Sequence, residues 1–244
     1  MVDGRESWPL MFMLVSEIFH SIQGEGLLVG VPSVFVRFSG CNLRCTWCDT
    51  PYASWEPVGE TMTQADILAR MESFSGRVRH AVLTGGEPMV ASGIREFAAE
   101  LRRRDWHVTL ETAGTIAPDE IACDLASLSP KLRHSTPEAG RIEEAWISRH
   151  ESRRLQPAVL AEWIRDYEVQ LKFVIAAEAD LPEIHELLAK LPPVPADRIL
   201  LMPEGITSED ILARAPLVTG LCKQFGYRYC DRLHIHLYGN TRGT

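Results

Sequence analysis

Apolar and polar positions change rhythm several times along the chain. Val15–Ser21 alternates imperfectly and runs into the turn Gln23-Gly24-Glu25-Gly26, and Ser33–Phe38 reads as a second strand. Periodicity then disappears from Ser39 to Val58. A helix is predicted over Thr63–Phe74, with Thr63 as N-cap and Asp66 three positions on in a capping-box arrangement. Short apolar strands follow at His80–Thr84, Trp106–Leu110 and Ile121–Leu128. Each ends in a small or polar tip: Gly85-Gly86-Glu87-Pro88, Glu111-Thr112-Ala113-Gly114 and Ser129-Pro130-Lys131. A helix over 92–104 separates the first two.

From Leu132 to Gln156 the pattern breaks into a stretch rich in His, Arg and Glu. It is too polar for core, and it predicts a surface excursion with one short helix near 141–149. Helix 157–166, strand 168–176, helix 180–190, strand Arg198–Met202 and helix 208–223 restore the alternation, and Tyr227–Tyr238 reads as a terminal strand. Repeated strand–helix alternation builds a parallel sheet with right-handed crossovers. A closed eight-unit barrel takes about 250 residues and this pattern holds about six units, so the expected fold is α/β, a partial, open TIM-like barrel. The expected organisation is a single domain over 1–244, with an N-terminal strand and turn extension at about 13–32 and a polar insertion at about 132–156. Residues 1–12 read as a loose leader.

Twenty-five basic against 33 acidic side chains give a net charge of −8, which offers a polyanion no general attraction. The densest basic run, Arg102-Arg103-Arg104, closes a predicted helix and is expected to face solvent. No direct nucleic-acid role is therefore expected. Residues 9–15 are too few to span a bilayer and lack a basic leader before them, so neither membrane insertion nor export is expected, and a cytoplasmic location follows. In that compartment six cysteines point to reduced thiols or metal ligands rather than three disulfides.

Cys41, Cys45 and Cys48 stand within eight residues on the aperiodic loop. Three soft thiolates there can converge on one iron–sulfur cube and leave one iron without a protein ligand. Structural zinc and a Cys45–Cys48 disulfide are the competing readings; zinc would need a fourth ligand, which His20 could supply only through the fold. Cys123, Cys222 and Cys230 are scattered and are not expected to ligate. The Gly85-Gly86 turn at a strand end exposes backbone to close approach, and Glu87 offers an acceptor for an ammonium group.

The CxxxCxxC spacing together with Gly85-Gly86-Glu87-Pro88 resembles the radical S-adenosylmethionine superfamily. The resemblance implies a [4Fe-4S] cluster on Cys41, Cys45 and Cys48. S-adenosyl-L-methionine would chelate its unique iron, and the glycine turn would bind the amino group. Within the superfamily, Gln23-Gly24-Glu25-Gly26, Arg37, Cys48-Asp49-Thr50, Glu111-Thr112-Ala113-Gly114 and Ser129-Pro130-Lys131 resemble the 7-carboxy-7-deazaguanine synthase family of the queuosine pathway. That family implies a homodimeric lyase that contracts 6-carboxy-5,6,7,8-tetrahydropterin to 7-carboxy-7-deazaguanine with release of ammonia, with Mg2+ as a further cofactor. Hydrogen abstraction from C6 by a 5'-deoxyadenosyl radical would start the rearrangement.

Residue roles follow from group type within this resemblance. Glu25 and Gln23 suit the pterin's amino and ring N–H edge, and the guanidinium fork of Arg37 suits the substrate carboxylate. Thr50 would join Mg2+. Gly85, Gly86, Glu87, Thr112, Ser129 and Lys131 would meet S-adenosylmethionine, with the Met202–Gly205 tip giving backbone contact to the adenine. Trp47 would shield the cube, and His236 or His234 would reach the substrate, His236 being the first choice. An acidic flavodoxin or ferredoxin would deliver electrons near the cluster, which calls for a local basic patch, and the 132–156 insertion reads as a lid, a dimer element or that docking surface. The alternatives are a glycyl-radical activase, which needs an open face for a protein substrate, and a non-enzymatic iron–sulfur or zinc module.

Overall fold

The computed structural model describes residues 11–244, and the leader expected over 1–12 lies almost wholly outside them. The strands are β1 (Phe12–Ile22), β2 (Pro32–Phe38), β3 (Glu60–Thr63), β4 (His80–Gly85), β5 (His107–Thr112), β6 (Leu125–Leu128), β7 (Val169–Ile175), β8 (Ile199–Pro203) and β9 (Arg228–Tyr229). They form one sheet in the order β3-β1-β2-β4-β5-β6-β7-β8-β9. From β2 to β9 neighbours run parallel, whereas β1 is antiparallel to both β2 and β3. The sheet curls into the expected open, partial barrel, its free edges at β3 and β9.

The helices are α1 (Pro51–Ser54), α2 (Gln64–Ser75), α3 (Ile94–Arg103), α4 (Glu144–Arg153), α5 (Pro157–Asp166), α6 (Leu181–Leu188), α7 (Ser208–Phe225) and α8 (Leu233–Tyr238). None is long and apolar enough to cross a membrane among the described residues. α2 starts with the predicted capping box: Asp66 N–H donates to Thr63 Oγ1 at 3.2 Å and Thr63 N–H to Asp66 Oδ2 at 3.2 Å. Arg102, Arg103 and Arg104 close α3 on its exposed side, as expected.

Strand alternation explains where the site lies. Along β7, Leu171, Phe173 and Ile175 join the main core under the helices, while Gln170, Lys172 and Val174 point the other way, into the barrel. All seven residues of the strand are buried. On β1 and β2 the same inner face carries Phe19 and Phe35, stacked at 4.9 Å, and the cross-strand neighbours Glu17 and Arg37.

Three expectations about elements are corrected. Tyr227–Tyr238 is not a strand: only Arg228–Tyr229 pairs with β8, and α8 follows. The strand over Ile121–Leu128 starts at Leu125, because Asp119 and Glu120 take left-handed turn conformations and Asp124 Oδ2 accepts Val108 N–H at 2.7 Å. The 132–156 segment is not merely superficial: Leu132, Ser135, His150 and Arg154 are buried, with Arg154 paired to Glu183 at 2.6 Å.

Candidate active site

A cavity of about 570 Å3 opens at the C-terminal ends of the parallel strands, a size suited to a small molecule with a cofactor beside it. The chain leaves β2 at Phe38 and crosses one wall of this cavity as the cysteine loop. Cys41, Cys45 and Cys48 pack with Leu43 and Ala113 there. Two anchors shape the loop: Gly40 N–H donates to Ala53 O at 2.8 Å, and Trp55 Nε1 donates to Cys45 O at 3.1 Å. All six cysteines are free thiols, which removes the disulfide reading. Burial pushes the Cys41 and Cys45 thiols up to about 12, so their thiolates need a cationic partner at the site. Among the described residues no group of His, Cys, Asp and Glu side chains forms a ready single-ion site. Three thiols on one cavity wall are the donor set that an iron–sulfur cube takes, and in this respect the residues fit the implied cluster.

The glycine turn abuts this loop. A Cβ on Gly86 would stand 2.5 Å from Gly40 O, 2.6 Å from Ala53 O and 2.8 Å from Cys41 Cβ, and one on Gly85 would stand 2.2 Å from Phe38 O. Only glycine permits this approach. Glu87 departs from expectation. Its carboxylate is fully buried and accepts from Thr112 Oγ1 at 2.7 Å, Ala113 N–H at 2.8 Å and Met89 N–H at 3.1 Å, and Glu87 does not line the cavity. It ties the tip of β4 to the tip of β5, and of this turn Gly85 and Gly86 line the cavity. The Thr112 hydroxyl is committed to the same tie. Ser129 and Lys131 do face the cavity, with Lys131 Nζ donating to Ser129 Oγ at 2.8 Å. Trp47 lines the cavity stacked on His134 at 5.5 Å, and Glu204 is paired with Arg214 at 3.2 Å.

The opposite end of the cavity is charged. Glu25 accepts from Lys172 Nζ at 2.5 Å and Arg232 Nε at 2.9 Å, and Arg232 also grips Asp49. Burial opposes ionisation of Glu25, but Lys172 and Arg232 outweigh it and hold the carboxyl well below the usual range. Burial likewise opposes the charge on Lys172, and Glu25 reverses it. Gln23 donates to Glu111 Oε1 at 3.1 Å and accepts Glu25 N–H at 3.2 Å, so it braces the turn and reaches the cavity at once. Arg37 donates through Nε to Glu17 Oε1 at 2.6 Å, and among the described residues the rest of its fork has no hydrogen-bond acceptor; Tyr52 OH also donates to Glu17, at 3.0 Å. Thr50 lines the cavity between the thiols and this end, its Oγ1 3.8 Å from Cys48 Sγ.

The two candidate histidines of α8 are placed differently. His236 is held by Ser208 at 3.1 Å and Asp231 at 3.0 Å and does not line the cavity, whereas His234 does and packs against Gly24. Because α8 is helical, the two rings diverge instead of sharing one strand face. Lys172, Arg232, Glu17 and Tyr52 escaped the sequence reading. For Lys172 a signal existed: a charge in the middle of the largely apolar run VQLKFVIA.

Thiols and a Gly-Gly turn packed together at the strand tips of an open parallel barrel define a radical S-adenosylmethionine protein. Residues 35–141 match the model of the Radical SAM superfamily. The chain is 48% identical over 233 residues to the 7-carboxy-7-deazaguanine synthase of Rhodopirellula baltica, covering 95% of this chain and 89% of that one. It is 44% identical to the Halobacterium salinarum protein of that description, covering 94% and 92%. The chain belongs to the 7-carboxy-7-deazaguanine synthase family. It is thus an enzyme, a radical carbon–nitrogen lyase acting in queuosine and 7-deazapurine biosynthesis. The crystal structure of QueE from Escherichia coli shares the fold, with TM-score 0.67, 23% identity, and coverage of 91% of this chain and 95% of that one.

Proposed function

We propose that this chain converts 6-carboxy-5,6,7,8-tetrahydropterin into 7-carboxy-7-deazaguanine and ammonia. The observation that carries the reading is the division of one cavity into a thiol-and-glycine end and a charged end. The charged end is built to read a small polar ring, not to receive a protein segment. This disfavours the glycyl-radical activase.

A [4Fe-4S] cluster on Cys41, Cys45 and Cys48, with S-adenosylmethionine, supplies hydrogen-abstraction chemistry when bound. Gly85, Gly86, Ser129 and Lys131 hold the methionine and ribose parts of that cofactor. Glu25, ionised at any working pH, accepts from the pterin's amino and ring N–H groups, and Gln23 completes that edge. The stacked Phe19–Phe35 pair offers the ring a flat apolar wall. Arg37 turns its free N–H groups to the substrate carboxylate, and Thr50 shares Mg2+ with it. His234 replaces His236 at the substrate end. Family membership supports a homodimer. An acidic flavodoxin or ferredoxin donor is supported by Arg44 of the cysteine loop and Arg149 of α4, both stacked on Trp146, at 3.8 and 4.5 Å.

Anaerobically reconstituted protein, given 6-carboxytetrahydropterin, S-adenosylmethionine, reductant and Mg2+, is expected to yield a product lighter by ammonia in mass analysis. Formation of 5'-deoxyadenosine without that product would refute the substrate. Formation of neither would refute the radical assignment for this chain.

A further inference from the structure

The middle cysteine of the loop is flanked by Arg44 and Thr46, and both of their amides are taken by the 132–156 segment. Arg44 N–H donates to His150 Nδ1 at 3.1 Å, and Thr46 N–H donates to Ser135 O at 2.8 Å. His150 and Ser135 are fully buried. A backbone N–H can only donate, so Nδ1 accepts and the ring proton sits on Nε2. Nε2 lies 3.0 Å from Ser135 Oγ, which passes its own hydrogen to Leu132 O at 2.6 Å. Every polar atom of this chain of contacts is satisfied in one direction only: loop amide, imidazole, hydroxyl, carbonyl. On the outside, Arg44 donates to Cys41 O at 3.1 Å and Leu43 O at 2.7 Å while lying over Trp146. Arg141 reaches Thr46 Oγ1.

We propose that His150, with Ser135, is a positioning residue for the cluster: it clamps the backbone on either side of Cys45 and so sets how firmly the iron–sulfur group is retained. The 132–156 segment is on this view a brace for the cysteine loop. A loop whose amides are pinned keeps Cys45 aimed at the cavity, and it offers few openings through which a ligand could swing away. The inference rests on the assignment of Cys41, Cys45 and Cys48 as cluster ligands.

The test is iron retention. Wild type, His150→Phe, His150→Asn and Ser135→Ala are reconstituted anaerobically and challenged with a ferrous chelator, and loss of the iron–sulfur absorbance is timed. Far-UV circular dichroism and thermal melts of the iron-free proteins monitor the fold. Depriving the half-buried Arg44 N–H of its acceptor should speed iron loss about tenfold in His150→Phe. His150→Asn, which sets an amide oxygen in place of Nδ1, should stay within about twofold of wild type, and Ser135→Ala should fall between. A folded His150→Phe protein that loses iron at the wild-type rate would overturn the proposal, as would a His150→Asn protein no better than His150→Phe. If His150→Phe does not fold, a wild-type rate in Ser135→Ala overturns it instead. A wild-type protein that binds no cluster would refute the ligand assignment and not the clamp alone.

Discussion

Replacing Lys172 by Met keeps a long side chain in the barrel and removes one charge. The loss falls on Glu25, whose Oε2 has Lys172 as its partner at 2.5 Å, with both side chains nearly buried, at 6% and 12% exposure. Breaking a buried ion pair from one side costs about 3–5 kcal/mol. Arg232 still neutralises Glu25, so the expected cost is at the lower end, about 3 kcal/mol. In a chain of this size each kcal/mol moves the melting temperature by ~2–4 °C, which gives a fall of roughly 6–12 °C. The pH dependence has a definite sign. Glu25 is depressed in the native state, so its stabilising effect is full above the unfolded value of 4.5 and declines as pH falls below it. Lys172→Met has less of that effect to lose, and its deficit against wild type should shrink in acid. Thermal melts of the metal-free protein, run as a double-mutant cycle with Glu25→Gln, measure the coupling. The double variant should be more stable than the sum of the single effects by about 1–3 kcal/mol. Additive losses, or a Lys172→Met melt equal to wild type, would show that the two groups do not depend on each other.

Gly86→Ala must push a methyl into Gly40 O, Ala53 O and Cys41 Cβ, all closer than 3 Å, and should cut S-adenosylmethionine affinity at least tenfold; calorimetric titration showing wild-type binding would refute the packing argument. His80, buried between Ser33 at 2.7 Å and Thr109 at 2.8 Å, has its pKa pushed down to about 4 by burial first and by His107 second. The native state therefore refuses a proton that the unfolded chain binds below about 6.5, so stability should decline from pH 6.5 towards 4. Urea melts should show a shallower decline for His80→Gln, and an identical slope would remove His80 as a source. Arg37→Ala should raise the KM for the pterin at least tenfold with a smaller change in kcat, and unchanged steady-state kinetics would take Arg37 out of substrate binding.

The thiol end was legible in sequence because its chemistry sits in contiguous motifs on strand tips. Cysteine spacing and paired glycines report backbone demands that few other arrangements make. The charged end was legible only in part. Glu25 and Arg37 stand in recognisable turns and strands, but Lys172 hides in a strand whose two faces are both buried, one under helices and one against the cavity, which blurs the alternation that would mark it. Arg232 precedes a six-residue helix that mixed apolar and polar residues disguised as a strand, and the helix turns His234 rather than His236 to the cavity. Glu87 is a different case: its carboxylate stands beside the glycine turn, yet its oxygens accept from Thr112 and Ala113 on the neighbouring strand tip and from Met89 on its own turn, an arrangement the contiguous motif does not reveal. The 132–156 segment looked like surface because its polar residues satisfy one another and the cysteine loop, which composition cannot reveal.

The stretch that matches the superfamily, residues 35–141, contains the three cysteines, the glycine turn, Ser129 and Lys131, but not Glu17, Glu25, Lys172 or Arg232. The thiol end thus lies wholly within that stretch, whereas the charged end takes Gln23, Glu25, Lys172 and Arg232 from outside it and Arg37, Asp49 and Tyr52 from within it. The inner faces of β1 and β7 and the approach to α8 can change while the Gly86–Cys41 contact stays intact. Under the proposed function, a change of substrate therefore calls for altering the extension before residue 35 and the strands after residue 141 together with Arg37 on β2, while the Gly86–Cys41 packing is left as it stands.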